Sequence, residues 1–302
     1  MLGHAIKDVC DTSQYRWKFI SSSDCDLTDK SETNTLFEKL RPTYVIHLAA
    51  NVGGLFKNMN NQALMFEKNI LINTHVLSCC QRFDVKKTVC CLSTCVYPDK
   101  VTYPIHERTL HNGPPHDSNF GYAYAKRMLQ VHARAINQEM GDNRVVCVIP
   151  TNIYGEHDNF SLENAHVIPA LIHKCYIAKQ TNTPFEICGT GTPLRQFIYS
   201  KDLAKLVLWC MESYNSCDPI NLTPSERDEV SISDVALEIA KAFDYQHSIM
   251  FNDTYSDGQY RKPASDAHLT KSLPSNFTFT PLHTGIQNTI EWFVKHYDTV
   301  RK

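Results

Sequence analysis

The sequence has no surplus of charge of either sign. Lys and Arg number 30 against 32 Asp and Glu, a formal net charge of −2, so no global field would gather nucleic acid or an anionic membrane. Any recognition of phosphate falls to local basic residues. Long hydrophobic runs are also missing: stretches such as LAKLVLWCM fall far short of the ~20 apolar residues that a spanning helix needs. The opening residues, MLGHAIKDVC, have no basic region followed by an apolar core and a small-residue cleavage site, so no secretory signal is read there. No CxxC pair occurs among the 12 cysteines, and the adjacent pairs Cys79-Cys80 and Cys90-Cys91 suit no zinc site; neither a structural metal nor a disulfide scaffold is expected. These cysteines read as reduced, buried thiols, and the expected compartment is the cytosol. Internal repeats and low-complexity tracts are absent too.

What is there is a chain of 302 residues with 14 Phe, 14 Tyr and 3 Trp, ample for one large α/β domain or a nucleotide-binding domain with a smaller companion. WKFISSS (17–23), TYVIHLAA (43–50), KKTVCCLST (86–94) and RVVCVIPT (144–151) read as strands, near-continuously apolar. Helices are expected between them: DLTDKSETNTLFEKL with Asp/Thr capping chemistry, a stretch over roughly 60–83, and YAYAKRMLQVHARAINQEM stopped by Gly141. Such alternation predicts a doubly wound parallel sheet buried on both faces. After residue 151 the pattern becomes looser: HVIPALIHKCYIAKQ as helix, PFEICGTG as strand and turn, and RQFIYSKDLAKLVLWCMESY as strand then helix rejoining the sheet. DVALEIAKAF (helix), SIMFN (strand), the broken loop SDGQYRKPASD and a closing helix near 281–299 follow. We expect a nucleotide-binding domain over 1–151, with 195–212 returning to it, and a smaller α/β substrate domain over 152–194 and 213–302.

Ligands of doubly wound sheets bind beyond the carboxyl ends of the strands. Four strand ends carry small or polar residues: Ser21-Ser22-Ser23, Ala49-Ala50, Ser93-Thr94-Cys95 and Pro150-Thr151-Asn152. One such end alone would be ordinary solvent-facing polarity; four together mark the rim of a crevice. Tyr122 and Lys126 then fall four apart on one helix face. A nearby ammonium favours phenolate and predicts a lowered Tyr122 pKa. Such a tyrosine can protonate a carbonyl oxygen as hydride reaches the carbon, while a serine hydroxyl polarises the same oxygen. A Tyr–Lys pair by itself is more often surface decoration, a lone cysteine more often an inert buried thiol.

Strand-end Ser93 with the YxxxK of Tyr122 and Lys126 resembles the extended short-chain dehydrogenase/reductase superfamily. The strings HLAANVGG, LSTCVYPDK, NGPPHDSNFGYAYAKRM, PTNIYGEHDNF, HVIPALIHK, GTGTPLRQFIYSKDLA and SDGQYRK are similar to its branch of GDP-sugar 3,5-epimerase-4-reductases, over essentially the whole chain. The resemblance implies a Rossmann-type fold, NADP(H) as cofactor, a GDP-sugar substrate and a homodimer packed through paired helices. It assigns Ser93, Tyr122 and Lys126 to reduction, and Cys95 and His166 to proton exchange at the sugar's C3 and C5. Those protons lie α to a C4 ketone, and a thiol and an imidazole straddle neutral pH, which suits base and acid. Gly3, Asp26, Leu27, Ala49, Ala50, Pro150, Asn152 and Ile153, with Tyr122 and Lys126, fall at cofactor positions. Asn152, Lys174, Arg195 and Lys262 fall at the GDP-sugar site, the three cations suited to a pyrophosphate; Cys188 stands where the family often has Trp.

The family begins with a strand running into GGxGxxG, whereas MLGHAIKDV starts inside that motif, with Gly3 matching its last glycine. The resemblance thus implies an absent first strand and glycine loop, and leaves two further readings: a cofactor-incompetent truncated isoform or interaction subunit, and a related nucleotide-sugar 4-epimerase. A 4-epimerase would not need Cys95 and His166. A dehydratase would want a carboxylate where Ser-Thr-Cys offers Cys95.

Overall fold

The computed structural model describes residues 1–53, 60–255, 257 and 259–302; the last glycine of HLAANVGG and two residues of SDGQYRK lie outside these. A four-stranded parallel sheet forms the centre, in the order β1 (Tyr44–His47), β2 (Lys87–Cys91), β3 (Val145–Pro150), β8 (Ile220–Leu222). Alternating side chains of β2 and β3 serve opposite faces. Val89, Val146 and Val148 pack against α1 (Leu2–Val9) and α6 (Ser200–Glu212), joined by Ala5, Leu203 and Val207. Cys90, Cys147 and Ile149 pack the other way, with Leu129 and Ile136 of α4 (Phe120–Met140). Helices α2 (Lys30–Leu40) and α3 (Gln62–Arg82) complete the layer on that side. The capping expectation for α2 holds: the Asp29 side chain accepts from the Glu32 N–H. Gly141 ends α4 in the left-handed conformation at φ 67.

The fourth strand of the sheet, Ile220–Leu222, comes from a segment that the sequence reading set in the second domain; the strand expected to rejoin the sheet pairs elsewhere. β7 (Phe197–Tyr199) lies parallel to β4 (Asn152–Tyr154), Asn152 opposite Phe197. A second core gathers Phe160, Ile172, Phe185, Ile239 and Phe293. It is built from α5 (Val167–Thr181), α7 (Ile232–Ala242), α9 (Leu282–Lys295) and the parallel pair β5 (Phe185–Cys188) and β10 (Ile249–Asn252). The short antiparallel pair β6 (Leu194–Arg195) and β9 (Val230–Ser231) bridges toward the site, and α8 (Ala267–Ser272) lies against β8.

A further expectation fails. Trp17–Ile20 forms no strand. A strand exists only where a neighbour supplies its ladder, and β1 has β2 on one side and a cavity of about 1130 Å³ on the other. Trp17, Phe19 and Ile20 line that cavity with Tyr44, Val45 and Ile46, and no ladder joins the two segments. The serines after them sit in a turn, Ser21 donating through N–H (2.8 Å) and Oγ (2.7 Å) to the Asp24 carboxylate. No helix among the described residues is long and apolar enough to cross a membrane. All 12 cysteines are free thiols; Cys188 and Cys217 are exposed rather than buried.

Candidate active site

Strand β2 is buried along its length and delivers the chain to the centre of the sheet's carboxyl edge. There Ser93, extended at φ −158 and ψ 151, caps a single 3₁₀ turn (Thr94–Val96), its Oγ accepting from the Cys95 N–H at 3.4 Å. This turn places the hydroxyl and the Cys95 thiol two residues apart at the rim, both partly accessible. Burial pushes the Cys95 pKa up; the Ser93 hydrogen bond and the cations Lys262, Lys126 and Arg127 pull against it.

Helix α4 brings Tyr122 and Lys126 to the same place. Its start is held by Gln62 at the head of α3, whose Oε1 accepts from the Gly121 N–H at 2.7 Å. The Gln62 Nε2 donates to the Asp117 and Ser118 carbonyls at 3.1 and 3.2 Å. A glycine is required at 121, since a Cβ there would stand 2.1 Å from the Gln62 carbonyl oxygen. Lys126 is 2% exposed; its Nζ donates to the Cys91 carbonyl at 2.7 Å and lies 5.8 Å from the centre of the Tyr122 ring. Burial lowers the Lys126 pKa, the surrounding thiols opposing. The expectation for Tyr122 is reversed. Its pKa is raised well above the ordinary phenol value because the ring is buried, and Cys95 and Cys91 push the same way. Loss of hydration outweighs the ammonium, so the phenol is held protonated, ready to donate.

The expected cations fall into two groups. Lys262 is close enough to act on Cys95 and Asp99, and Arg195 stands near it, donating through Nη1 to the Leu194 carbonyl (2.8 Å) and the Tyr260 carbonyl (3.3 Å). Lys174 is apart, its Nζ 3.2 Å from the Cys188 sulfur. Asn152 donates through Nδ2 to the Gln196 carbonyl at 2.9 Å, fixing the segment from Pro150 to Ile153. Gly3, Asp26, Leu27, Ala49 and Ala50 share the cavity beside β1. His166 does not join the Cys95 cluster by any hydrogen bond among the described residues. It is exposed at the head of α5, where its charge acts on buried Asp158.

Three supporting residues escaped the sequence reading. Gln62 works through side-chain contacts across 55–59 residues of chain, which no local pattern betrays. Glu229 forms an ion pair with Arg261 beside Arg195. Arg127 adjoins Lys126 in YAKR but would pass for an ordinary helix-surface cation; it is 4% exposed.

Residues 1–222 match the NAD dependent epimerase/dehydratase family. The chain is 52% identical to the GDP-L-fucose synthase of Dictyostelium discoideum over 292 residues, 97% of this chain and 91% of that one. It is 46% identical to a probable GDP-L-fucose synthase of Drosophila melanogaster, over 95% of this chain and 91% of that one. The solved GDP-L-fucose synthetase of Naegleria fowleri bound to NADP superposes with a TM-score of 0.95 at 48% identity, covering 100% of this chain and 92% of that one. The sheet, the Ser-Tyr-Lys cluster and these likenesses agree: the chain belongs to the NAD dependent epimerase/dehydratase family, and within it to the GDP-L-fucose synthases.

Proposed function

We propose that the protein converts GDP-4-keto-6-deoxy-D-mannose to GDP-L-fucose, by 3,5-epimerisation and then NADPH-dependent reduction at C4. The observation that carries this reading is the convergence of Ser93, Cys95, Tyr122 and Lys126 at one strand end. Two neutral hydroxyl donors can bind a ketone oxygen there and strengthen their hold as charge develops on it. Cys95 can then move a proton at a carbon α to that ketone, and the resulting enolate keeps the same two donors. In reduction Tyr122, held protonated, gives its proton to the C4 oxygen, and Lys126 behind it stabilises the phenolate left.

The residues fit the cofactor. Gly3, Asp26, Leu27, Ala49 and Ala50 face the cavity beside β1, and Pro150, Asn152 and Ile153 would flank the nicotinamide. When bound, NADPH supplies the hydride for C4. Lys262 and Arg195 suit the sugar nucleotide's pyrophosphate, with Lys174, Cys188 and Asn152 at its margin. His166 is assigned as the partner of Cys95 from its motif. The proposal extends to a nucleotide-binding domain over 1–151 and 195–212, joined by β8, with a substrate domain for the rest. It includes a cytoplasmic homodimer; Leu64, Leu71, Met128 and Val131, exposed on α3 and α4, support pairing through these helices. The test is incubation with GDP-4-keto-6-deoxy-D-mannose and NADPH in heavy water. GDP-L-fucose labelled at C3 and C5 is expected, with one NADPH consumed per product; an unlabelled or unreduced sugar overturns the reading.

A further inference from the structure

Among the described residues, Arg127 is a cation of the site whose position serves no part of the reaction described so far. Its guanidinium is nearly sealed from solvent at 4% exposure. Nε donates to the Val96 carbonyl at 2.6 Å, the guanidinium carbon lies 5.3 Å from the centre of the Tyr124 ring, and Nη2 is buried without a hydrogen-bond partner. Among the described residues no carboxylate pairs with it. A buried charge lacking a counter-ion is costly, and an arginine cannot escape that cost by losing its proton. Something in its surroundings must gain from the charge.

Val96 is the residue after Cys95 and the last of the 3₁₀ turn that presents the thiol. Arg127 therefore grips that turn from behind, and its charge reaches Cys95 itself. The other groups that face Cys95 are the Ser93 hydroxyl from the same turn, Lys126 and the Tyr122 phenol from α4, and Lys262 from the segment after β10. Those that face Arg127 are Tyr124, Cys95 and Lys262. Burial lowers the pKa of both buried cations on α4, but a guanidinium stays charged at any pH the enzyme meets.

We propose that Arg127 is a positioning residue for Cys95, fixing the turn that aims the thiol and supplying the permanent positive charge that lets it ionise within a buried site. The inference rests on the reading of Cys95 as a proton-transfer group.

The test follows carbamidomethylation of Cys95 by iodoacetamide against pH in the full chain, with the labelled site resolved by peptide fragmentation. Alkylation reports the thiolate directly and needs neither substrate nor cofactor. Arg127→Gln keeps a donor for the Val96 carbonyl and removes the charge. The midpoint is expected to rise by less than the roughly 1–3 units that an adjacent opposite charge gives, because Arg127 acts on Cys95 more weakly than Lys262 and Lys126, so alkylation at neutral pH slows several-fold. Arg127→Lys restores charge and should keep the midpoint within a few tenths of a unit of the wild type. Deuterium exchange into the keto sugar should follow the same shift in its pH profile. An unmoved midpoint in a folded Arg127→Gln protein overturns the proposal. If that variant does not fold, a midpoint raised by a full unit in Arg127→Lys overturns it equally. Cys95→Ser separates the two readings: exchange surviving in that variant removes Cys95 from proton transfer, while the alkylation midpoints still decide what Arg127 does to the thiol.

Discussion

Gly121→Ala sets two effects of opposite sign against each other at the head of α4. Alanine favours a helix over glycine by about 1 kcal/mol in an exposed interior, and by less in a first turn. Against this, the new methyl would meet the Gln62 carbonyl oxygen at 2.1 Å and its carbon at 2.9 Å. These are backbone atoms of α3, so no flexible side chain can swing aside, and α3 must move relative to α4. Overpacking of this kind costs about 1–3 kcal/mol. The shift would also stretch the 2.7 Å bond from the Gly121 N–H to Gln62 Oε1, a further ~1 kcal/mol. The expected net loss is about 2 kcal/mol, which lowers the melting temperature of a chain this size by roughly 3 °C. Tyr122 is the next residue, so its phenol should be displaced and reduction slowed more than 10-fold, since acid catalysis of ~10²–10⁴-fold depends on placement. The assays are thermal unfolding followed by circular dichroism and NADPH oxidation with the keto sugar. A variant that melts at or above the wild type and reduces at its full rate would refute the close approach.

Tyr122→Phe should cut NADPH oxidation by about 10²–10⁴-fold and slow deuterium exchange at C3 and C5 less, because Ser93 still holds the enolate oxygen; equal loss of both would make Tyr122 an anchor of the sugar rather than the proton donor. Cys95→Ser should abolish that exchange, an alcohol being a far weaker acid than a thiol at neutral pH, and leave direct reduction of the unepimerised sugar as a side reaction; full-rate formation of GDP-L-fucose would make Cys95 structural. His47 is buried, 3.0 Å from Asn73 Oδ1, and burial with Lys126 nearby lowers its pKa from 6.5 to about 4. The unfolded chain then takes up this proton before the folded one does, so stability falls between pH 6.5 and 4, by up to about 3 kcal/mol. Urea unfolding at pH 7 and pH 4.5 should show a smaller drop for His47→Gln than for the wild type, and an equal drop would remove His47 from the acid sensitivity.

The buried strands β2 and β3 were legible because a central parallel strand must be apolar on both faces, and VCC and VVCVI satisfy that with no competing pattern. WKFI is also largely apolar and is not a strand. Composition fixes how well a segment would sit in a sheet, but a ladder also needs a neighbour, which a window of sequence does not contain. Ile220–Leu222 is the converse case: INL is too short and ordinary to stand out, yet Val148, Ile149 and Pro150 provide its partner. At the site, Ser93, Tyr122 and Lys126 were singled out by a strand end and a helix turn taken together with the family resemblance, since the Tyr–Lys spacing by itself is common on helix surfaces. Gln62 and Arg127 were not, since their roles depend on contacts between elements.

The pKa of Tyr122 shows most clearly why spacing alone misleads about chemistry. Four residues of helix put the Lys126 ammonium near the phenol, and in water that would make the tyrosine more acidic. The fold instead buries both groups and turns the ammonium onto the Cys91 carbonyl, so loss of hydration governs each: the phenol keeps its proton and the ammonium is drawn toward giving its own up. A site that must protonate a ketone oxygen is served by that arrangement, because a phenolate at rest would have nothing to donate. The cost is that Cys95, in the same buried volume, is pushed away from the thiolate that proton abstraction needs. Lys262, Lys126 and Arg127 oppose this, and none of them reaches the hydroxyl of Tyr122 by any hydrogen bond among the described residues. On the proposed reading, the acid and the base thus share one small buried site in which the same cations act on the thiol and leave the phenol protonated.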